Sequence, residues 1–170
     1  MSELRGERVV LRPLDASHAE ALREIRRSPE VAARWGPLED DFPLGDEPEV
    51  TRFTILVEGE AAGMVQYAEE PEPDIRSASI DIFLGPAWHN RGLAPEALRV
   101  LTRHLIEERG HHRITIEPAV DNPQAIRSYE KAGFRQVGVT RASYRDPGSR
   151  EWIDELLMEL VVTPPIPGKG

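Results

Sequence analysis

The stretch "AWHNRGLAPEALRVLTRHL", residues 87–105, puts a basic, glycine-containing turn directly ahead of an apolar-periodic run. Gly85 and Gly92 flank His89, Asn90 and Arg91. In a strand-to-helix turn the first helical amides have no intrahelical acceptor, and the helix dipole adds partial positive charge there. The amides of Arg91, Gly92, Leu93 and Ala94 precede Pro95, which has no N–H to offer. Two readings stand side by side: a seat for a phosphate, with Arg91 adding charge, or a plain turn in which glycine serves only geometry. A second chemical signal is Asp81, a carboxylate inside the apolar run "SASIDIFLG". Alternation places Ser79, Asp81 and Phe83 on one face and Ile80, Ile82 and Leu84 on the other. Asp81 is either a proton acceptor or a solvent-facing or structurally bonded acid. Glu117 closes the run "RITIEP", at the carboxyl edge where ligands of α/β sheets lie. Two acids on neighbouring strands suit a cationic partner. On helical spacing, Tyr129 shares a face with Ala125, Ile126 and Ala132, as a core tyrosine would.

Elements that would hold these groups can be read along the chain. "RVVLRPL", 8–14, predicts a strand, and the helix after it takes Asp15 or Ser17 as its N-cap. Pro29 breaks that helix. A short helix then leads into the Pro-, Gly- and acid-rich stretch through residue 49, an irregular loop of the kind that is often functional. Residues 52–57 and 62–68 predict a hairpin about Glu58-Gly59-Glu60. Strands at 76–85 and 113–118 enclose a helix over 95–109 that ends at Gly110, a βαβ unit whose strands run parallel. "DNPQAIRSYEKAGF" predicts a helix capped by Asn122, with Pro123 at its first position and Gly133 at its end. Two further strands close the chain, and the Pro- and Gly-rich residues 163–170 read as a disordered tail.

Bulk properties narrow the classes. The chain has 170 residues and a formal charge of −9, from 30 acids and 21 bases. That length suits one domain, which can bury roughly 70% of its unfolded surface. No basic cluster opposes the acidic balance, so nucleic acid is not an expected partner, and a small cationic molecule is. No run is apolar enough to span a bilayer, and the first residues lack the apolar core of a signal peptide. There is no cysteine, which excludes disulfides, thiolate metal sites and a cysteine nucleophile and suits a cytoplasmic protein. No His or acid spacing matches a metal site, so no metal is expected; His111-His112, just before a strand, reads as exposed turn. Neither G-x-x-x-x-G-K-[ST] nor G-x-G-x-x-G is present.

Taken together, "HNRGLAPEAL" and "DNPQAIRSYEKAGF" resemble the GNAT superfamily of acyl-CoA-dependent N-acetyltransferases. The first superfamily motif, Q/R-x-x-G-x-G/A, is matched at Gly92 and Ala94, with His89 standing where Gln or Arg is usual. The second, N-x-x-A-x-x-x-Y-x-x-x-G-F, is matched at Asn122, Ala125, Tyr129, Gly133 and Phe134. The resemblance extends over residues 7–162, taken as the domain, after a lead of residues 1–6. It implies an α/β (α+β) fold with a mixed central sheet, whose parallel fourth and fifth strands splay apart and are flanked by helices. It implies acetyl-CoA in that gap, with the diphosphate on the 89–94 loop and the pantetheine arm along the strand 81–84. Cofactor contacts then fall to Phe83, Leu84, His89, Asn90, Arg91, Gly92, Leu93, Ala94, Asn122, Ala125 and Tyr129.

Acyl transfer from a thioester to an amine needs a neutral amine, a stabilised oxyanion and help for the leaving thiolate. In that frame Asp81 is the base and Tyr129 the acid. Two branches of the superfamily share features with this chain. "LRGERVVLRPLDASHAEALREI" is similar to protein N-terminal acetyltransferases that modify ribosomal proteins. "VAARWG", "SIDIFLG" and "ITIEPAVDNPQAIRSYEKAGF" are closer to aminoglycoside 6'-N-acetyltransferases. By that likeness Trp35 lines the substrate site, and Glu117 receives an ammonium group in place of the usual aspartate. The expected activity is aminoglycoside 6'-N-acetylation in a ternary complex by a monomer or homodimer. A protein N-terminal acetyltransferase and a non-catalytic acyl-CoA-binding module are the alternatives.

Overall fold

A computed structural model describes residues 1–162; the tail expected at 163–170 lies outside the described residues. In chain order the elements are β1 (Leu4–Arg5), β2 (Val9–Pro13), α1 (Ala19–Arg27), α2 (Pro29–Trp35), β3 (Val50–Val57), β4 (Glu60–Glu70) and β5 (Ser77–Leu84). There follow α3 (Leu93–Glu107), β6 (Arg113–Ile116), α4 (Pro123–Lys131), β7 (Arg135–Arg145) and β8 (Trp152–Val161). The eight strands form one sheet in the order β1-β2-β3-β4-β5-β6-β8-β7. All pairings are antiparallel except β5 with β6. With the two-residue β1 counted first, β5 and β6 are the parallel strands expected to splay.

Each face of the sheet carries its own helices. Ala97, Leu98, Leu101 and Leu105 recur at helical spacing along α3 and are fully buried against Leu11, Ile55, Ile80 and Ile114. Burial of each such leucine contributes roughly 1.5–3 kcal/mol. On the other face, Leu22 of α1 and Val31 of α2 cover Met64 and Phe83, with Phe42 filling the gap. The alternation expected in β5 holds. Ile80 and Leu84 join the α3 core, Phe83 joins the α1–α2 core, and Ser79 and Asp81 are exposed on the Phe83 side.

Several local expectations change. The β3–β4 hairpin turns on two residues, Glu58 and Gly59, both at positive φ, and Val57 pairs with Glu60. Asp15 caps a short 3-10 turn at Ala16–His18, accepting from the Ser17 amide, and α1 starts one residue later. The helix α3 begins at Leu93 rather than 95, so Pro95 lies inside its first turn. His111 is not an exposed turn residue: it is 2% exposed and its Nε2 lies 2.5 Å from Glu69 Oε2. Packing of the α3–β6 connection against Glu69 near the end of β4 drew it inward, which its position before a strand does not reveal.

Candidate active site

β5 and β6 pair only at Ala78 with Ile114 and Ser79 with Thr115. Beyond those positions the strands part, because β6 ends at Ile116 while β5 runs on to Leu84. The gap is a cleft of about 460 Å3. Ile80 to Leu84 line it from β5 and Ile116 to Ala119 from the end of β6, with Asn122 at the cap of α4, Ala125 and Tyr129 from α4 itself, and Trp35 from α2. A side cavity of about 320 Å3 continues it under Ser79, Thr115, Ser143 and Glu155. A parallel pair that separates leaves backbone N–H and C=O groups of β5 facing the gap, where an extended ligand arm can take them.

Gly92 is the N-cap of α3 and has φ 72°. Asn90, at φ 60°, also turns left-handed and accepts from Gln124 Nε2 at 3.1 Å, which ties the loop to the start of α4. With Pro95 at the third helical position, the N–H groups of Gly92, Leu93 and Ala94 lack intrahelical acceptors. Such a terminus attracts an anion. Arg91 is exposed and its guanidinium sits 5.2 Å from the Trp88 ring centroid. The His89 side chain turns back onto the end of β5, with Nε2 2.8 Å from the Leu84 carbonyl. A carbonyl only accepts, so Nε2 carries the proton. The imidazole thus ties the loop to the strand whose edge lines the cleft.

Three carboxylates gather at the other end of the cleft: Asp81, Glu117 and Glu155. Asp81 is exposed to the cleft but walled by protein. That desolvation raises its carboxyl above the ordinary range, against one long hydrogen bond from Gln66 Nε2 at 3.4 Å. Glu155 is raised too, first by burial and then by the charges of Glu117 and Asp81, although Ser143 Oγ donates to it at 2.8 Å. Tyr129 is driven well above the ordinary phenol, first by burial and then by Asp81, so it stays protonated. The register between β7 and β8 shifts between Thr140 and Tyr144, with Ala142 at φ 48°. This bulge sets Ser143 over Glu155 and puts Tyr144 on the cleft wall.

Beside the carboxylates, the irregular loop after α2 is held by arginines through its carbonyl oxygens. Arg26 is 1% exposed and donates to the carbonyls of Trp35, Gly36 and Pro37 at 3.2–3.5 Å and to Glu39 Oε2 at 3.0 Å. Its guanidinium carbon is 4.6 Å from the Phe42 ring centroid and 5.6 Å from that of Trp35. Arg23 donates to the Phe42 carbonyl at 2.7 Å, and Arg52 to those of Pro43 and Gly45 at 3.2 Å. Trp35 is thereby fixed edge-on to Phe83, with ring centroids 5.0 Å apart. Gly36 has φ 80°, and a Cβ there would meet Pro147 of the β7–β8 turn at 2.6 Å.

The family model of the acetyltransferase (GNAT) domain matches residues 8–135, three quarters of the chain. The protein belongs to the GNAT family. It is 27% identical over 163 residues to the L-amino acid N-acetyltransferase AaaT of Escherichia coli K12, covering 90% of this chain and 98% of that one. It is 28% identical over 156 residues to an aminoglycoside N(6')-acetyltransferase type 1 of Klebsiella pneumoniae, covering 78% and 77%. The spermidine N-acetyltransferase of Vibrio cholerae, solved with CoA and spermine, superposes with a TM-score of 0.78 at 20% identity over 92% and 96% of the two chains. This GNAT protein is accordingly an N-acetyltransferase that uses acetyl-CoA.

Within the GNAT domain, Phe83, Leu84, His89, Ala94, Asn122, Ala125 and Tyr129 line the cleft, as do Asp81, Glu117 and Trp35. Asn122 caps α4, accepting from the Ala125 amide at 3.3 Å. Asn90, Arg91 and Gly92 lie outside the cleft lining on the exposed loop, and the Leu93 side chain is buried in the α3 core, so only its amide faces outward. Sequence reading did not single out Glu155, Ser143, Tyr144 or Arg26. Glu155 stands two residues from Leu157 and one from Leu156 in an apolar strand, as Asp81 does in β5, and that signal was open to use. Nothing local marks Ser143 or Tyr144, whose placement depends on the bulge.

Proposed function

We propose that the protein transfers the acetyl group of acetyl-CoA to a primary amine of a small polycation, with the 6'-amine of an aminoglycoside as the substrate. One observation carries the reading: Asp81, Glu117 and Glu155 converge on the end of the cleft opposite the 89–94 loop. Two or three ammonium groups on one molecule suit this cluster, whereas the carboxylate of a free amino acid would be repelled. The acidic loop adds less attraction than its composition implies, since Glu39 pairs with Arg26 and Glu47 with Arg52.

In this reading the diphosphate lies on the Gly92, Leu93 and Ala94 amides, and the pantetheine arm follows the free edge of β5. Asp81 accepts a proton from the bound ammonium, directly or through one water. The neutral nitrogen then attacks the thioester carbonyl carbon. The C–S bond breaks as the tetrahedral adduct collapses, and Tyr129 hydrogen-bonds to the departing sulfur and supplies its proton. The proton shed by nitrogen restores the phenol. A raised phenol pKa weakens Tyr129 as an acid but keeps it protonated as a donor at every working pH. The elevated carboxyl of Asp81 brings it closer to the pH at which a base works best.

The test is an acetyl-CoA turnover assay with kanamycin or tobramycin, spermidine, a basic N-terminal peptide and L-amino acids in parallel. Acetylation of the aminoglycoside at the 6' position, read by mass spectrometry and NMR, is the expected result. Turnover of the peptide or the amino acids alone would sink the reading. CoA binding without release of CoA on any amine would make the protein a binding module.

A further inference from the structure

We infer that Arg8 and Glu96 form a positioning pair that aims the diphosphate-binding amides, acting through backbone carbonyls and not on the cofactor. The inference rests on the reading of the 89–94 loop as the diphosphate seat. Arg8 is 88 residues from Glu96 in sequence, yet every nitrogen of its guanidinium meets an acceptor on this loop or on the helix turn that follows it. Nε donates to Glu96 Oε1 at 3.0 Å, Nη1 to the Arg91 carbonyl at 2.7 Å, and Nη2 to the Gly92 carbonyl at 3.2 Å. The peptide group is planar and trans, so a carbonyl and the N–H of the next residue point in opposite directions. Holding the Arg91 and Gly92 carbonyls toward Arg8 therefore turns the N–H groups of Gly92 and Leu93 away from it. Those are two of the three amides that α3 leaves without an acceptor.

Glu96 anchors the arrangement. It is 7% exposed, and its Oε2 accepts from the backbone N–H of Arg8 at 2.7 Å and of Val9 at 2.8 Å. β2 is thereby fastened to the first turn of α3. A carboxylate one turn into a helix would oppose an anion at the N-terminus, and the Arg8 charge offsets it. Burial by itself would raise this carboxyl, but the two amides and the guanidinium outweigh it and hold the group ionised below the ordinary range. Hydrogen bonds to the positive guanidinium also polarise the two peptide groups, which strengthens their N–H groups as donors.

The experiment compares Arg8→Met and Arg8→Lys with the unaltered protein. Dissociation constants are measured by calorimetry or competition for CoA, 3'-dephospho-CoA and pantetheine, which lacks the diphosphate. Arg8→Met is expected to weaken CoA and dephospho-CoA equally, by roughly tenfold, the size of one charge-assisted hydrogen bond, and to leave pantetheine unchanged. In turnover the loss falls on KM for acetyl-CoA rather than on kcat, and Arg8→Lys restores part of it. Unchanged CoA affinity overturns the inference. So does a loss seen with CoA but not with dephospho-CoA, which would make Arg8 a direct ligand of the 3'-phosphate, or an equal loss with pantetheine, which would mark general damage. If the unaltered protein binds pantetheine as tightly as CoA, the diphosphate seat itself is wrong. If Arg8→Met shows no cooperative melting, the CoA-to-pantetheine ratio of Arg8→Lys decides by the same criteria.

Discussion

The two ends of the cleft are built on different principles. At the α3 end, the groups offered to a ligand are main-chain amides of consecutive residues, 92–94, and the side chains nearby serve mainly to hold them. At the α2 end, the groups offered are side chains: Trp35 from α2, Asp81 from β5, Glu117 after β6 and Glu155 from β8. The first arrangement rests mainly on one turn and, in the proposed reading, suits the diphosphate that every CoA molecule shares. The second depends on the register of several strands and on a loop held by three arginines, and it can change with one substitution. The contrast accounts for relatives that share the fold while their names point to amino acids, aminoglycosides and spermidine.

Asp81→Asn should have the largest effect, because it removes the proposed base while leaving the amide end intact. A fall in kcat/KM of roughly 10²–10⁴ is expected with an unchanged CoA dissociation constant. The pH profile sharpens this. Asp81 must be ionised to act, and its carboxyl is raised, so kcat/KM should fall as pH drops through a value above the ordinary aspartate pKa of about 3.9. An acidic limb at or below the ordinary value would contradict the desolvated setting. Arg26→Met comes next. It leaves the carbonyls of Trp35, Gly36 and Pro37 without their donor, and a loss of about 2–4 kcal/mol is expected in denaturant unfolding. Any folded fraction should show a higher KM for the amine and the same KM for acetyl-CoA.

Gly92→Val acts on the opposite end. A β-branched residue at φ 72° is strained by about 1–3 kcal/mol, and relief of that strain would misdirect the amides. KM for acetyl-CoA should rise, with the amine KM unaffected; the reverse pattern would erase the division between the two ends. Glu155→Gln removes one charge without changing shape. KM for a polycationic amine is expected to rise by roughly threefold to tenfold, with a smaller change for a monoamine of similar size. Arg34→Ala should do least. Its ion pair with Asp121 at 2.7 Å is solvent-exposed, so unfolding should change by less than about 0.5 kcal/mol.

The same division governs what could be read without the fold. The helix N-terminus at Gly92 and the Asn122 cap of α4 are contiguous patterns, and each rests on local backbone geometry that residues three or four apart decide. The splayed strands could be foreseen only through the resemblance to the family. Local reading misjudged positions where a distant surface intervened. His111 was drawn inward against Glu69, 42 residues earlier. Pro95 is a different and purely local case: a φ near −65° suits any position of a first turn, so the proline marks the start of α3 without fixing it at Leu93.

By itself, the sequence determined the order of the main elements from β2 onward, the glycine turn ahead of α3, the capped helix carrying Tyr129 and the alternation that turns Asp81 away from the α3 core. Each follows from short-range sterics and from hydrophobic periodicity, which act over a few residues. Tertiary structure alone decided that Glu155 joins Asp81 and Glu117, that the β7 bulge sets Ser143 over Glu155, and that Arg26 stakes the Trp35 loop. It also decided that Arg8 reaches across to the carbonyls of Arg91 and Gly92. These contacts come from strand register and from long side chains meeting acceptors far away in sequence, and no local pattern encodes which partner a buried arginine will find.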